Sequence, residues 1–264
     1  MPLIDYANQA ARILGNNTKY QIDKNIINSI FAETTNIGDK VIARLSVIDS
    51  FYSTQMNKRL WGIEEIRLAI NGISNDDNEI RNLAMEFAAN PNAESRIFTL
   101  ISGEYGIKKN GQPFGKASSL VTKYLYFITS YQFPIYDSLV RTSYRYLQIR
   151  FPLFNLPDLA DECDINFFNS INALKNTSQI NNYDLLDNLL WLLGKIMYGS
   201  FSLMFSQETY LQLVNLSGAN ALTKKVDQAI RNYLQININE QLVAQQFGDD
   251  FVPFFNFCFS NNEI

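Results

Sequence analysis

The sequence predicts an all-α protein. Apolar residues recur at spacings of three and four: Val41, Leu45, Ile48 and Phe51; Ile63, Ile66, Ile70 and Ile73; Ile80, Leu83 and Phe87. The breaks between these runs carry helix-boundary residues, with Asn36-Ile37-Gly38-Asp39 and Asn75-Asp76-Asp77 ahead of helices, Asn90-Pro91-Asn92 behind one, and Gly218 opening a late one. A hydrophobic content of 47% over 264 residues is enough to bury a sizeable core. The expected architecture is a two-lobed helical fold with no substantial sheet.

In chain order the expected helices run about Leu3 to Leu14, Lys19 to Glu33, Asp39 to Thr54, Gly62 to Ile73, Asp77 to Ala89, Ala93 to Tyr105 and Lys116 to Ile128. They continue as Tyr136 to Ile149, Asn166 to Asn176, Tyr183 to Phe205, Gln207 to Asn215, Ala219 to Leu234 and Asn239 to Phe247. The stretch Phe151 to Asp164 holds Pro152, Pro157 and the carboxylates Asp158, Asp161, Glu162 and Asp164. It divides the chain into a helical region 1–150 and an acidic helical region 151–264 packed on it. No internal repeat or low-complexity tract is present.

Composition narrows the chemistry. There is no histidine, and Cys163 and Cys258 are the only cysteines, which excludes Cys/His zinc sites and four-thiolate iron-sulfur clusters. No metal or other cofactor is expected. Acid-base work must fall to Asp, Glu, Lys, Tyr, Ser or Cys. Both cysteines read as idle buried thiols, and Trp61 and Trp191 as core or lobe-interface aromatics. Met1-Pro2-Leu3-Ile4-Asp5 has no charged leader before an apolar run, so a cytoplasmic protein is expected. The most apolar stretch, Leu185 to Phe205, is interrupted by Asp187, Asn188 and Lys195, which argues against a membrane span.

Net charge is −4, yet it is unevenly spread. Between Ile107 and Arg150 the bases Lys108, Lys109, Lys116, Lys123, Arg141, Arg145 and Arg150 face Asp137 alone, a local +6; of 22 basic and 26 acidic residues, 15 and 25 remain elsewhere, a net of −10. A basic, aromatic-rich stretch of this kind suits a polyanion.

Within it, Gly111-Gln112-Pro113-Phe114-Gly115 is a turn whose backbone N–H groups suit a phosphate, or else an ordinary connection between helices. Lys116, Leu120, Lys123 and Phe127 fall on one helical face. A lysine there is either a desolvated amine able to form a Schiff base or a snorkelling side chain. Asp137 follows Pro134 at a helix start, where capping is its simplest role.

The order of these parts resembles the helix-hairpin-helix DNA glycosylase superfamily. Pro134-Ile135-Tyr136-Asp137-Ser138-Leu139-Val140-Arg141 is similar to that family's Val-Asp-Thr-His-Val-like string, with Ser138 for threonine and Leu139 for histidine. Tyr52-Ser53-Thr54-Gln55 resembles its Leu-Ser-x-Gln string. The strings Thr122-Lys123-Tyr124-Leu125 and Phe133-Pro134-Ile135-Tyr136-Asp137-Ser138 also resemble uncharacterised bacterial proteins. The resemblance covers about residues 37–150, departs in the hairpin and lacks cluster cysteines.

The resemblance implies a base-excision DNA glycosylase, with or without lyase activity, acting on a flipped base in double-stranded DNA. Asp137 would be the catalytic carboxylate and Lys116 the nucleophile, with Lys123 the alternative. Gln55 would fill the gap left by the base. Ser53, Lys58, Arg59, Lys108, Lys109, Gly111, Gly115, Arg141 and Arg145 would contact DNA. The competing expectation is a catalytically silent helical module that binds DNA or a protein partner.

Overall fold

Helix after helix opens on a residue type that satisfies free backbone N–H groups. The side chains of Asp76, Ser95, Asp137, Asp164 and Ser206 accept from the N–H of Asn78, Ile97, Val140, Phe167 and Thr209. In the computed structural model the helices are α1 (Leu3–Asn16), α2 (Thr18–Ala32), α3 (Lys40–Tyr52), α4 (Gly62–Ile73), α5 (Asp77–Ala89), α6 (Arg96–Ser102) and α7 (Ser118–Ile128). Then come α8 (Ser138–Arg150), α9 (Ile165–Thr177), α10 (Tyr183–Tyr198), α11 (Gln207–Leu216), α12 (Val226–Ile236) and α13 (Phe251–Phe259). The structure describes residues 2–32, 39–52, 54, 56, 62–106, 108–109, 112–113, 116–159, 162–198, 201, 204–219, 225–237, 242 and 246–259.

Among the described residues the fold is all-α apart from a two-residue antiparallel ladder, β1 (Lys108–Lys109) with β2 (Gln112–Pro113), in which Lys108 faces Pro113. Three expected helices shorten or shift. The segment around Ala93 to Tyr105 is helical only from Arg96, because Ser95 caps it. The helix from Tyr183 ends at Tyr198 instead of Phe205. The helix expected from Ala219 starts at Val226. The expected helix Asn239 to Phe247 lies mostly outside the described residues. An unexpected one, α13, carries Pro253 in its first turn, where a missing N–H costs no helical bond. No described helix is long and apolar enough to cross a membrane.

Two helices organise the packing. Helix α7 lies against α2, α3, α5 and α6, while α10 lies against α1, α8 and α13. The contacts of α10 therefore cross residue 150, since α1 and α8 precede that position and α13 follows it. Helix α7 is buried on all sides, with every residue from Leu120 to Ile128 inside, so the expected amphipathic stripe is absent. Two rings from α9, Phe167 and Phe168, pack edge-on against Tyr136 and Phe133 and support the segment leading into α8.

A close crossing sets where α8 meets α10. A Cβ on Gly194 would stand 3.0 Å from both Leu139 Cβ and Ser143 Oγ and 3.1 Å from the Leu139 carbonyl oxygen. The buried Ser143 hydroxyl donates to the Leu190 carbonyl at 2.6 Å. Together they hold the start of α8 against the middle of α10.

Gly194→Ala should therefore lower the unfolding free energy by about 1–3 kcal/mol through overpacking. Gly72→Ala, whose added Cβ meets nothing within 4 Å, should raise it by about 0.5–1 kcal/mol. Urea denaturation of both variants checks the pair, and equal effects would contradict the close crossing.

Candidate functional site

Burying α7 on every side carries Lys123 inside, with only 3% of its side chain exposed. An ammonium at such a depth requires partners. Lys123 Nζ donates to Ser119 Oγ at 2.8 Å, lies 3.3 Å from Asp137 Oδ2 and stands 5.2 Å from the centre of the Tyr52 ring. Asp137 arrives from the other side of a tight reversal. Ser130 and Tyr131 both take left-handed backbone, at φ 52° and 70°, and the Tyr131 N–H donates to the Tyr126 carbonyl at 2.7 Å. Each such non-glycine residue costs roughly 1–2 kcal/mol. The reversal lets the following segment run back along α7, where the Tyr136 N–H donates to Thr122 Oγ1 at 3.1 Å. Asp137 then caps α8, its Oδ1 accepting from the Val140 N–H at 2.9 Å, while its Oδ2 faces Lys123. Both oxygens are engaged.

The pair opens onto a cavity of about 570 Å³. Helix α2 contributes Lys19, Tyr20, Asp23 and Lys24; the end of α3 contributes Phe51, Tyr52 and Thr54. Tyr136, Ser138 and Leu139 flank Asp137, and α10 closes the site with Trp191 and Lys195. The Tyr20 ring lies 5.2 Å from that of Trp191, and its hydroxyl donates to Asn188 Oδ1 at 2.9 Å. Asp184 anchors the wall behind, accepting from Lys24 Nζ and Tyr126 Oη, both at 2.6 Å.

Electrostatically the site holds two closed ion pairs, Lys123–Asp137 and Lys24–Asp184. Lys19 and Lys195 have no carboxylate within ion-pair distance among the described residues. Burial holds the Lys195 ammonium below its usual range, helped by the positive charges of Lys123 and Lys19 and opposed by Asp137. Asp187, one turn before Trp191, is half-buried and has neither hydrogen bond nor ion pair among the described residues. Desolvation, then the charges of Asp137 and Asp184, push it up to about 7 against the pull of Lys24 and Lys123. Burial likewise raises the Tyr20, Tyr52 and Tyr126 hydroxyls, which stay protonated as donors.

The structure brings Asp137 and Lys123 together and leaves Lys116 out. Lys116 precedes α7 by two residues and reaches exposed Glu162 at 3.3 Å, so it does not share the face of Lys123. Of the two lysines, Lys123 is the one that lines the cavity. Arg141 is half-buried beside Tyr136 and Arg145 is exposed, and neither lines the cavity. Lys108 and Lys109 form β1, a β-ladder where the resemblance implies a hairpin between helices. Their side chains, with Ser53, Gln55, Lys58, Arg59, Trp61, Gly111 and Gly115, lie outside the described residues.

Trp191 lines the cavity and is not simply a core aromatic. Both cysteines are buried, and burial pushes the Cys163 thiol up to about 12 and the Cys258 thiol higher than usual. Of the carboxylates expected in solvent, Asp164 caps α9, Asp158 accepts from Gln148 Nε2 at 2.8 Å and Glu162 meets Lys116; Asp161 lies outside the described residues. No group of three or more Cys, Asp or Glu among the described residues could hold a metal ion.

Sequence reasoning missed Lys19, Tyr20, Asp23 and Lys24, which look like an ordinary polar face of α2. It also gave no role to Asp187 and Lys195, whose charges inside an apolar stretch were the available signal. Compared with protein-family models, curated proteins and solved structures, the chain matches none.

Two outcomes follow from the buried charges. Asp137→Asn keeps a capping side chain but unpairs Lys123, and should cost about 3–5 kcal/mol. In a Lys123→Met background the same change should cost under about 1 kcal/mol, and simple additivity in denaturant melts would contradict the pairing. Asp187 holds its proton up to about 7 when folded, against an ordinary 3.8 when unfolded. Its contribution to stability is fully present below pH 3.8 and lost as the pH rises through about 7. Denaturation midpoints across that window should fall less steeply in Asp187→Asn.

Proposed function

We propose that this protein is a DNA N-glycosylase with lyase activity, in which Lys123 is the amine nucleophile and Asp137 its carboxylate partner. The observation that carries the reading is the Lys123–Asp137 pair set in an aromatic-walled cavity. The cavity volume lies within the range of small-ligand pockets, roughly 300–1,000 Å³. Tyr52, Tyr136 and Trp191 offer ring faces on which an extruded base can stack. The arrangement also agrees with the order of parts in the helix-hairpin-helix resemblance, with Lys123 in place of Lys116.

The chemistry uses both members of the pair. Asp137 stabilises the positive charge that develops on the sugar as the N-glycosidic bond breaks. Lys123 passes its proton to Asp137, and the free amine attacks C1′ as the base leaves with the electron pair of the broken bond. The covalent sugar adduct then opens to a Schiff base. At 3.3 Å the carboxylate is within direct reach of the amine's proton.

Duplexes carrying uracil, 8-oxoguanine, 3-methyladenine or an abasic site, incubated with protein and borohydride, test the reading. A covalent adduct should form, persist in Lys116→Met and vanish in Lys123→Met. Asp137→Asn should slow base release by about 10²-fold or more while leaving duplex affinity within a few-fold. Salt-sensitive binding with no product on any duplex would favour the silent binding module instead.

A further inference from the structure

Four lysines line the cavity, and two of them are committed to carboxylates. Lys123 is paired with Asp137, and Lys24 with Asp184. The side chains of Lys19, at the start of α2, and Lys195, on α10, have neither hydrogen bond nor ion pair among the described residues. Against the four cations the lining sets two carboxylates, Asp23 and Asp137, a surplus of two positive charges in a chain whose net charge is −4. Asp23 follows Lys19 by one helical turn and shares its field without closing a pair.

The two free amines belong to elements that aromatic contacts tie together. Lys195 Nζ stands 5.2 Å from the centre of the Trp191 ring, one turn earlier on α10, and the ring of Tyr20, next in sequence to Lys19, lies 5.2 Å from that of Trp191. Lys195 also follows Gly194, the point where α10 touches the start of α8. A Cβ on Gly194 would stand 3.0 Å from Leu139 Cβ, and Asp137, Ser138 and Leu139 all line the cavity. Lys195 therefore enters beside the helix start that carries Asp137. Lys19 is exposed and Lys195 half-buried, which sets them toward the mouth, while Lys123 lies at the floor with 3% of its side chain exposed. Burial disfavours the Lys195 ammonium, and the charges of Lys123 and Lys19 add to this against the pull of Asp137. An anion beside the amine removes that cost.

We propose that Lys195 and Lys19 bind a backbone phosphate flanking the extruded nucleotide and so hold its sugar against the Lys123–Asp137 pair. This rests on the glycosylase–lyase reading. A phosphodiester offers one negative charge and oxygens that accept from ammonium groups, and lysine meets it as a point charge. Such a contact fixes position and carries no base information. A nucleotide turned out of the duplex brings its flanking phosphates with it, so the contact belongs to the extruded state and not to intact DNA.

Duplexes carrying a tetrahydrofuran abasic-site analogue, with one or other flanking phosphate replaced by a neutral methylphosphonate, test the contact by fluorescence anisotropy. With the wild-type protein one of the two replacements should weaken binding by about 10-fold. Lys195→Met should weaken binding of the all-phosphate duplex by a similar factor, and the same methylphosphonate should then cost under about 2-fold more. Lys195→Arg keeps the charge and should keep the response to methylphosphonate, while Lys19→Met should follow Lys195→Met. On an intact duplex Lys195→Met should bind within about 2-fold of wild type. Independent losses from the methylphosphonate and from Lys195→Met, equal weakening on intact and abasic duplexes, or no weakening at all would each overturn the phosphate contact. A borohydride adduct on Lys123 would in that case leave the glycosylase reading standing. No duplex binding by the wild-type protein would overturn both, and deoxyuridine 5′-monophosphate held by wild type but lost in Lys195→Met would then assign the subsite to a free nucleotide.

Discussion

The arrangement of this protein turns on the need to neutralise one buried ammonium. Helix α7 is packed on every side, and Lys123 cannot snorkel to water from the middle of it. A charge so enclosed is tolerated only with an opposite charge and hydrogen bonds in place. The chain supplies them through a reversal that takes two non-glycine residues into left-handed backbone and returns Asp137 to the side of α7. The cap on α8, the crossing at Gly194 and the rings of α9 all hold that return in position. Strain at Ser130 and Tyr131 is thus balanced by the contacts it makes possible.

The same packing sorts the remaining charges. Lys24 and Asp184 close a second pair that fixes α2 against α10, and Tyr126 joins it from α7. Among the described residues Lys19, Asp23, Asp187 and Lys195 have no ion-pair partner, and burial displaces Asp187 and Lys195 toward their neutral forms.

Much of the scaffold was legible from residue spacing and caps. Asp76, Asp137 and Asp164 stand where their helices begin, and apolar repeats located α3, α4 and α5 closely. Helix α13 was hidden by Pro253, which reads as a breaker until it is seen to lie in a first turn. Asp137 was recognisable from Pro134 and its isolation among bases. Lys116 and Lys123 looked equivalent by helical offset, because periodicity assumes a helix with one wet face. Only tertiary burial of α7 separates them. Asp187 and Lys195 were visible as charges inside the most apolar stretch, where they argued only against a membrane span. Their meeting with α2 and α7 depends on contacts more than 60 residues apart in sequence, as Tyr20 with Asn188 illustrates at a separation of 168.

The central claim is that the enclosed Lys123–Asp137 pair is the reacting pair. The most direct measurement is peptide mapping by mass spectrometry after borohydride reduction of the protein with an abasic-site duplex, followed by nuclease digestion. The sugar remnant should reside on Lys123. A remnant on Lys116, Lys195 or any other amine would contradict the account.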